Sequence, residues 1–142
     1  MVKAKEFWDF LCNELNYRFF SGVPTSGFQG LFRAMDKNIM HYVPAINEQA
    51  SLSLAAGAWV SGFKSAVFLP PAKVNKLDFE LIDVLGVPII LFTSGKHLCS
   101  FSKRFKVFEL EEDYGISLSG VSKYVEKNNK PAILFFKEGF VI

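Results

Sequence analysis

The sequence predicts an α/β domain: three layers, α/β/α, built around a mostly parallel sheet. Three observations lead there. Strand-like and helix-like segments alternate along the chain. Residues 87–93 (VPIILFT) are apolar throughout, as in a strand buried on both faces. With 142 residues, half of them hydrophobic, the chain is long enough to close a full core as one domain, residues 1–142, without disulfide or metal staples.

Taken in order, Phe7, Phe10, Leu11 and Leu15 recur at helical spacing and predict an amphipathic helix over residues 3–16. A short strand over 18–21 is stopped by Gly22. Residues 24–35 read as a second helix, with Pro24 early and Phe28, Leu31, Phe32 and Met35 on one face. A strand follows at 39–43. The Ala-, Leu- and Ser-rich stretch 47–60 predicts a tightly packed helix with Asn47 as its cap. Residues 65–69 form the next strand and 77–85 a helix ended by Gly86. The buried strand 87–93, a strand at 106–110, a helix at 118–128 and a closing strand at 132–136 complete the pattern.

Composition excludes several classes of function. A formal net charge of +2 is too small to imply a nucleic-acid partner. Lys96, Lys103, Arg104 and Lys106 interleave with Phe101 and Phe105, a pattern seen in single-strand binders, but a solvated loop is the commoner meaning, and no nucleic-acid partner is expected. No run of 18 apolar residues occurs, so no membrane span is expected. The opening residues lead straight into the amphipathic pattern without a signal-peptide core. Cys12 and Cys99 have no metal-ligand or CxxC spacing and are expected to stay reduced in the cytoplasm. The 16 phenylalanines fit either a Phe-rich core or a subunit interface.

In parallel α/β sheets, ligands sit beyond the carboxyl ends of the strands. Loops 22–26, 45–48, 69–75 and 93–97 are therefore expected on one rim. Gly22, Gly27 and Gly30 precede a helix without fitting GxGxxG or a P-loop, and they read as a strand-to-helix turn or as an anion site of a free-standing domain. No GxSxG elbow and no zinc-spaced His or Cys pair is present. His97 lies on a rim loop and is assigned no catalytic role. The acidic run 109–113 suits the start of a helix. Glu48 opens the small-sided helix NEQASLSLAAGAWVSG; alone, it reads as a solvated acid favoured by the helix dipole.

The stretch FFSGVPTSGFQGLF followed by MHYVPAINEQASLSLAAGAWVSGFKSAVFL resembles the pyrimidine-binding domain of thiamine-diphosphate enzymes. It is most similar to phosphonopyruvate and sulfopyruvate decarboxylases. The matching residues are Gly22-Val23-Pro24 with Ser26, Asn47-Glu48 with Ala50, and Ala55-Ala56-Gly57 with Gly62. The resemblance spans essentially the whole chain and is sharpest over residues 20–69. It implies that Glu48 is catalytic, holding a proton against N1′ of the cofactor's aminopyrimidine. A carboxyl in a small, apolar, water-poor pocket is suited to that role. By the same resemblance Gly22, Pro24 and Asn47 join Glu48 in holding the cofactor. Thr25 and Ser26 bind the acidic end of a small 2-oxo acid substrate, or only turn the chain.

The chain departs from the family in two places. The Gln-Asn-Ser-Gly-like stretch expected after the third strand is replaced by LPPAKVN at 69–75. The GDG motif that holds diphosphate and magnesium is absent, and no metal ligand is assigned to this chain. The resemblance thus implies one half of a split enzyme. Thiamine diphosphate and Mg2+ would be shared with a diphosphate-binding β-type subunit in a hetero-oligomer (α2β2 or α4β4), with a homodimer as the other arrangement. The altered 69–75 segment supports a second reading, a degenerate pyrimidine domain kept as a scaffold or regulatory partner.

Overall fold

The computed structural model describes residues 1–23 and 26–142. The helix expected at residues 3–16 is present in two parts. Helix α1 (Ala4–Asp9) runs into a π-helical turn (Phe10–Glu14) in which Leu15 N–H donates to the Phe10 carbonyl, 3.1 Å away. Asn16, at φ +64°, ends it in a left-handed conformation that Asn tolerates. Strand β1 (Tyr17–Gly22) follows. Within the helix expected at 24–35, the described residues form a 3-10 turn (Ser26–Phe28) that leads into a short helix α2 (Gln29–Arg33). Phe28 and Leu31 are buried, so the apolar face is as expected although the helical run is shorter.

Strand β2 (His41–Pro44) leads to α3 (Glu48–Val60), where Asn47 has extended backbone and its side chain accepts from Ala50 N–H. Strand β3 (Lys64–Phe68) is followed by α4 (Pro71–Val74), absent from the sequence expectation, with Pro71 in the first-turn position that tolerates a missing N–H. Helix α5 (Glu80–Leu85) ends at Gly86, whose φ of +68° is strained for any residue bearing a Cβ. Strands β4 (Ile90–Gly95) and β5 (Val107–Glu109) precede α6 (Tyr114–Asn128) and β6 (Ala132–Lys137). Helix α6 starts a turn earlier than its hydrophobic spacing indicates. The Asp113 carboxylate accepts from Ile116 N–H and sets that start.

All six strands pair in parallel, in the order β2-β1-β3-β4-β6-β5. Successive side chains on the inner strands enter opposite cores, as the period of two requires. Ala66, Phe68, Ile90, Phe92, Leu134 and Phe136 face α1, α2 and α6. Val67, Leu69, Ile89, Leu91, Ile133 and Phe135 face α3, α4 and α5. This is the three-layer α/β/α arrangement, and burial on both faces explains the unbroken VPIILFT run.

The phenylalanine excess is mainly core. Phe7, Phe20, Phe28, Phe68, Phe92 and Phe136 interlock with Trp8 in one layer, mostly edge to face. Phe63 alone among the phenylalanines is exposed. The basic 96–106 segment also spends its aromatics on packing. Phe105 is buried and Phe101 packs against the second core. Arg104 lies over the rings of Phe79 and Phe105 and pairs with Asp83 at 2.6 Å. Among the described residues, no helix is long and apolar enough to cross a membrane.

Candidate functional site at the carboxyl rim

The chain leaves β1 through α2, which packs into one core, and leaves the adjacent β3 through α4, which packs into the other. Neighbouring strands whose connections depart to opposite faces open a crevice at their carboxyl ends. That switch point is where Gly22, the last residue of β1, lies in register with Phe68 of β3 and Pro44 of β2. The approach is close. A Cβ on Gly22 would stand 2.6 Å from the Phe68 carbonyl oxygen. Only glycine fits without moving backbone, which gives this glycine a physical reason to end the strand.

The loop that carries Glu48 is tied to the same point. The Gly22 carbonyl accepts from Ala45 N–H at 2.9 Å and from the Tyr42 hydroxyl at 3.5 Å. Ser21, fully buried, donates to the Val43 carbonyl at 2.7 Å. Three residues beyond Ala45, α3 begins. Asn47 caps it at 2.8 Å to Ala50 N–H, and the Ser51 hydroxyl donates back to the Glu48 carbonyl at 2.6 Å. Gln49 reaches sideways: its amide donates to the Asp78 carbonyl at 2.8 Å and accepts from Asp78 N–H at 2.9 Å. The first turn of α3 is therefore held from three directions, and Glu48 stands on a fixed backbone.

Of the residues assigned from sequence, the structure brings Gly22, Asn47 and Glu48 to one rim. Pro24 and Thr25 lie outside the described residues. Ser26 opens the 3-10 turn, and its side chain is likewise outside the description. Among the described residues, the water-poor pocket anticipated for Glu48 is not closed. Glu48 is half-buried, and Val43, Pro44, Ile46 and Asn47 before it are exposed, Ile46 by 92%. Val43 and Ile46 present hydrocarbon to solvent beside it.

The remaining rim loops have different uses. Segment 69–75 contains α4, and the Asn75 amide is spent on the 96–106 segment, donating to Ser100 O and accepting from Ser102 N–H. His97 is exposed. At the carboxyl end of β4, the Thr93 and Ser94 hydroxyls are buried without a hydrogen-bond partner among the described residues. Sequence patterns gave no hint of these two groups, because a hydroxyl's lack of a partner depends on what folds over it. Among the described residues no three His, Cys, Asp or Glu side chains gather closely enough to hold a metal.

No protein-family model matches the sequence, and no curated protein matches it significantly. A solved structure does share the fold: 2-oxoglutarate:ferredoxin oxidoreductase from Magnetococcus marinus, with 2-oxoglutarate, coenzyme A and succinyl-CoA bound. The match has a TM-score of 0.68 at 15% identity and covers 97% of this chain. It spans 29% of that chain. At that identity the likeness establishes the architecture: this chain has the α/β fold of one portion of a larger 2-oxo acid oxidoreductase chain.

Proposed function

We propose that this chain, as a single domain over residues 1–142, is the pyrimidine-binding, α-type half of a split thiamine-diphosphate-dependent decarboxylase of small 2-oxo acids such as phosphonopyruvate or sulfopyruvate. The observation that carries the proposal is the placement of Glu48. It is half-buried on the first turn of α3, at the carboxyl rim, on a loop hydrogen-bonded to Gly22 at the β1–β3 switch point. The fold match to a protein whose structure holds 2-oxoglutarate agrees with 2-oxo acid chemistry.

Thiamine diphosphate, when bound, supplies the electron sink for loss of carbon dioxide from the substrate. Glu48 supplies a proton site to the ring nitrogen N1′ of its aminopyrimidine. Gly22 and Pro24 shape the turn beside the ring, Asn47 fixes the helix start that aims Glu48, and Thr25 and Ser26 meet the acidic group of the substrate. Magnesium requires a near-octahedral oxygen set, which family members build around a GDG motif that this sequence lacks. Mg2+ and the diphosphate are therefore assigned to a β-type partner chain. The open apolar wall at Val43 and Ile46 supports that assignment, because a partner seated there would exclude water from Glu48 and raise its proton affinity. Leu81 and Val84 on α5 are also exposed and apolar.

The test begins with the tagged chain, gently recovered, and mass spectrometry of what copurifies. A GDG-containing partner in equal amount, with carbon dioxide release that depends on thiamine diphosphate and magnesium, is the expected result. In that assembly Glu48→Gln should lower turnover by roughly a hundredfold or more while the complex stays intact. Full activity in the variant would overturn the catalytic role.

A second reading has its own observation. Asn75, in the segment that departs from the family, is committed to the 96–106 segment rather than left free at the rim. A domain kept as scaffold or regulatory partner would form the same complex with activity indifferent to Glu48.

A further inference from the structure

A cavity of about 500 Å³ lies along edge strand β2; Val43 and Pro44, at its end, border the candidate site, and the rest of its lining has no part in the reading above. Its walls include Phe32, Met35, Met40 and Tyr42, with Lys37 and His41 also lining it. The Phe32 and Tyr42 rings stand 5.2 Å apart and form a continuous aromatic wall. Met40 is buried beneath, and Met35 is half-buried. The volume falls within the range of small-molecule sites, which are mostly apolar with one or two polar groups that set orientation.

The charge is one-sided. Lys37 is exposed and lines the cavity, and no acidic side chain lines it among the described residues. The neighbouring Asp36 carboxylate accepts from Asn38 N–H in the turn before β2. The His41 ring packs edge-on to Phe63, 6.1 Å away, and Lys37 brings a side-chain ammonium to the cavity lining. Thioether side chains adapt to irregular apolar ligands.

From this wall chemistry and charge we infer that the cavity binds a small amphipathic monocarboxylate, with its aromatic or branched body against Phe32, Met35, Met40 and Tyr42 and its carboxylate at Lys37. Such a ligand would also touch the candidate site indirectly. The Tyr42 hydroxyl donates to the Gly22 carbonyl, so filling the cavity would bear on the side chain that helps hold the β1 end.

The protein's three methionines make the test direct. In the full chain labelled with 13C-methyl methionine, 3-phenylpropionate is titrated and followed by NMR. Met35 and Met40 signals should shift saturably while Met1 stays still. Lys37→Gln should weaken the carboxylate by about twofold to fivefold, the worth of one exposed ion pair, and leave neutral 3-phenylpropanamide unaffected. Three outcomes overturn the inference: no movement of Met35 and Met40 at millimolar probe, amide and carboxylate binding equally with no effect of Lys37→Gln, or signals that ignore both probes and move only when the partner chain is added. The last would make the cavity a protein interface.

Discussion

The Gln49 side-chain amide pairs with the backbone of Asp78 through two hydrogen bonds, giving and taking one each at 2.8 and 2.9 Å. The pairing joins the first turn of α3 to the segment before α5, 29 residues away in sequence. It places a geometric constraint next to Glu48. Gln49→Ala should cost about 1 kcal/mol, since both bonds are solvent-exposed and each is worth little net. Urea denaturation should show a lower midpoint with unchanged slope. Gln49→Glu should cost at least as much as Gln49→Ala, because a carboxylate oxygen would then face the Asp78 carbonyl where the amide N–H donated.

At Gly22 an added Cβ would meet the Phe68 carbonyl oxygen at 2.6 Å. Gly22→Ala places a methyl group against the Phe68 carbonyl, and the neighbour is backbone that has little room to yield. The expected loss is about 1–3 kcal/mol, typical of overpacking, read as a drop in thermal midpoint. Gly57→Ala is the contrast. A Cβ there meets nothing within 4 Å, and replacing glycine within a helix should stabilise by about 0.5–1 kcal/mol.

Tyr17 and Ser122 share a buried hydrogen bond of 3.2 Å between β1 and α6. Burial raises the Tyr17 phenol above its ordinary range, the Ser122 hydrogen bond offsetting part of this. Ser122→Ala strands the phenol and should cost about 1–3 kcal/mol. Adding Tyr17→Phe removes the stranded hydroxyl and should restore part of that loss. A double-mutant cycle checks the coupling, and additive effects would show that the bond contributes nothing of its own.

Cys12 is fully enclosed in the first core, and burial pushes its thiol from 9.0 up to about 11, the nearby Arg18 charge offsetting part of the effect. Its folded pKa is above the unfolded one, so its contribution to stability is complete below pH 9 and is lost as pH rises towards 11. The unfolded thiol ionises first, and the native state binds the extra proton through that window. Stability should fall by up to about 1.4 kcal/mol for each pH unit within it. Cys12→Ala should flatten the decline between pH 9 and 11 in urea titrations, whatever its effect at neutral pH.

Local chemistry was enough to read much of this molecule. Asn47 before a run of small residues marks the start of α3, because a side-chain acceptor and the first free N–H groups lie within three residues of each other. Gly86 marks the end of α5, because a left-handed residue is needed there. The unbroken apolar run of β4 discloses a strand covered on both faces. The position of Glu48 after a strand and at a helix start was enough to place it at the rim of a parallel sheet.

Other features depended on parts of the chain that meet only on folding. The length of α2 and the existence of α4 were not legible, since helices of four or five residues depend on what they pack against more than on propensity. Strand order was also hidden: β5 lies outside β6 because of crossover geometry, not because of any local signal. The close approach of Gly22 to Phe68, the Gln49 clamp on Asp78 and the unpartnered hydroxyls of Thr93 and Ser94 each join or isolate groups that sequence distance does not relate. The same holds for the surroundings of Glu48. Its residue type and helix start are local facts, but its half-burial beside an open apolar wall exists only once β2, α3 and the rim are assembled, because burial is a property of neighbours.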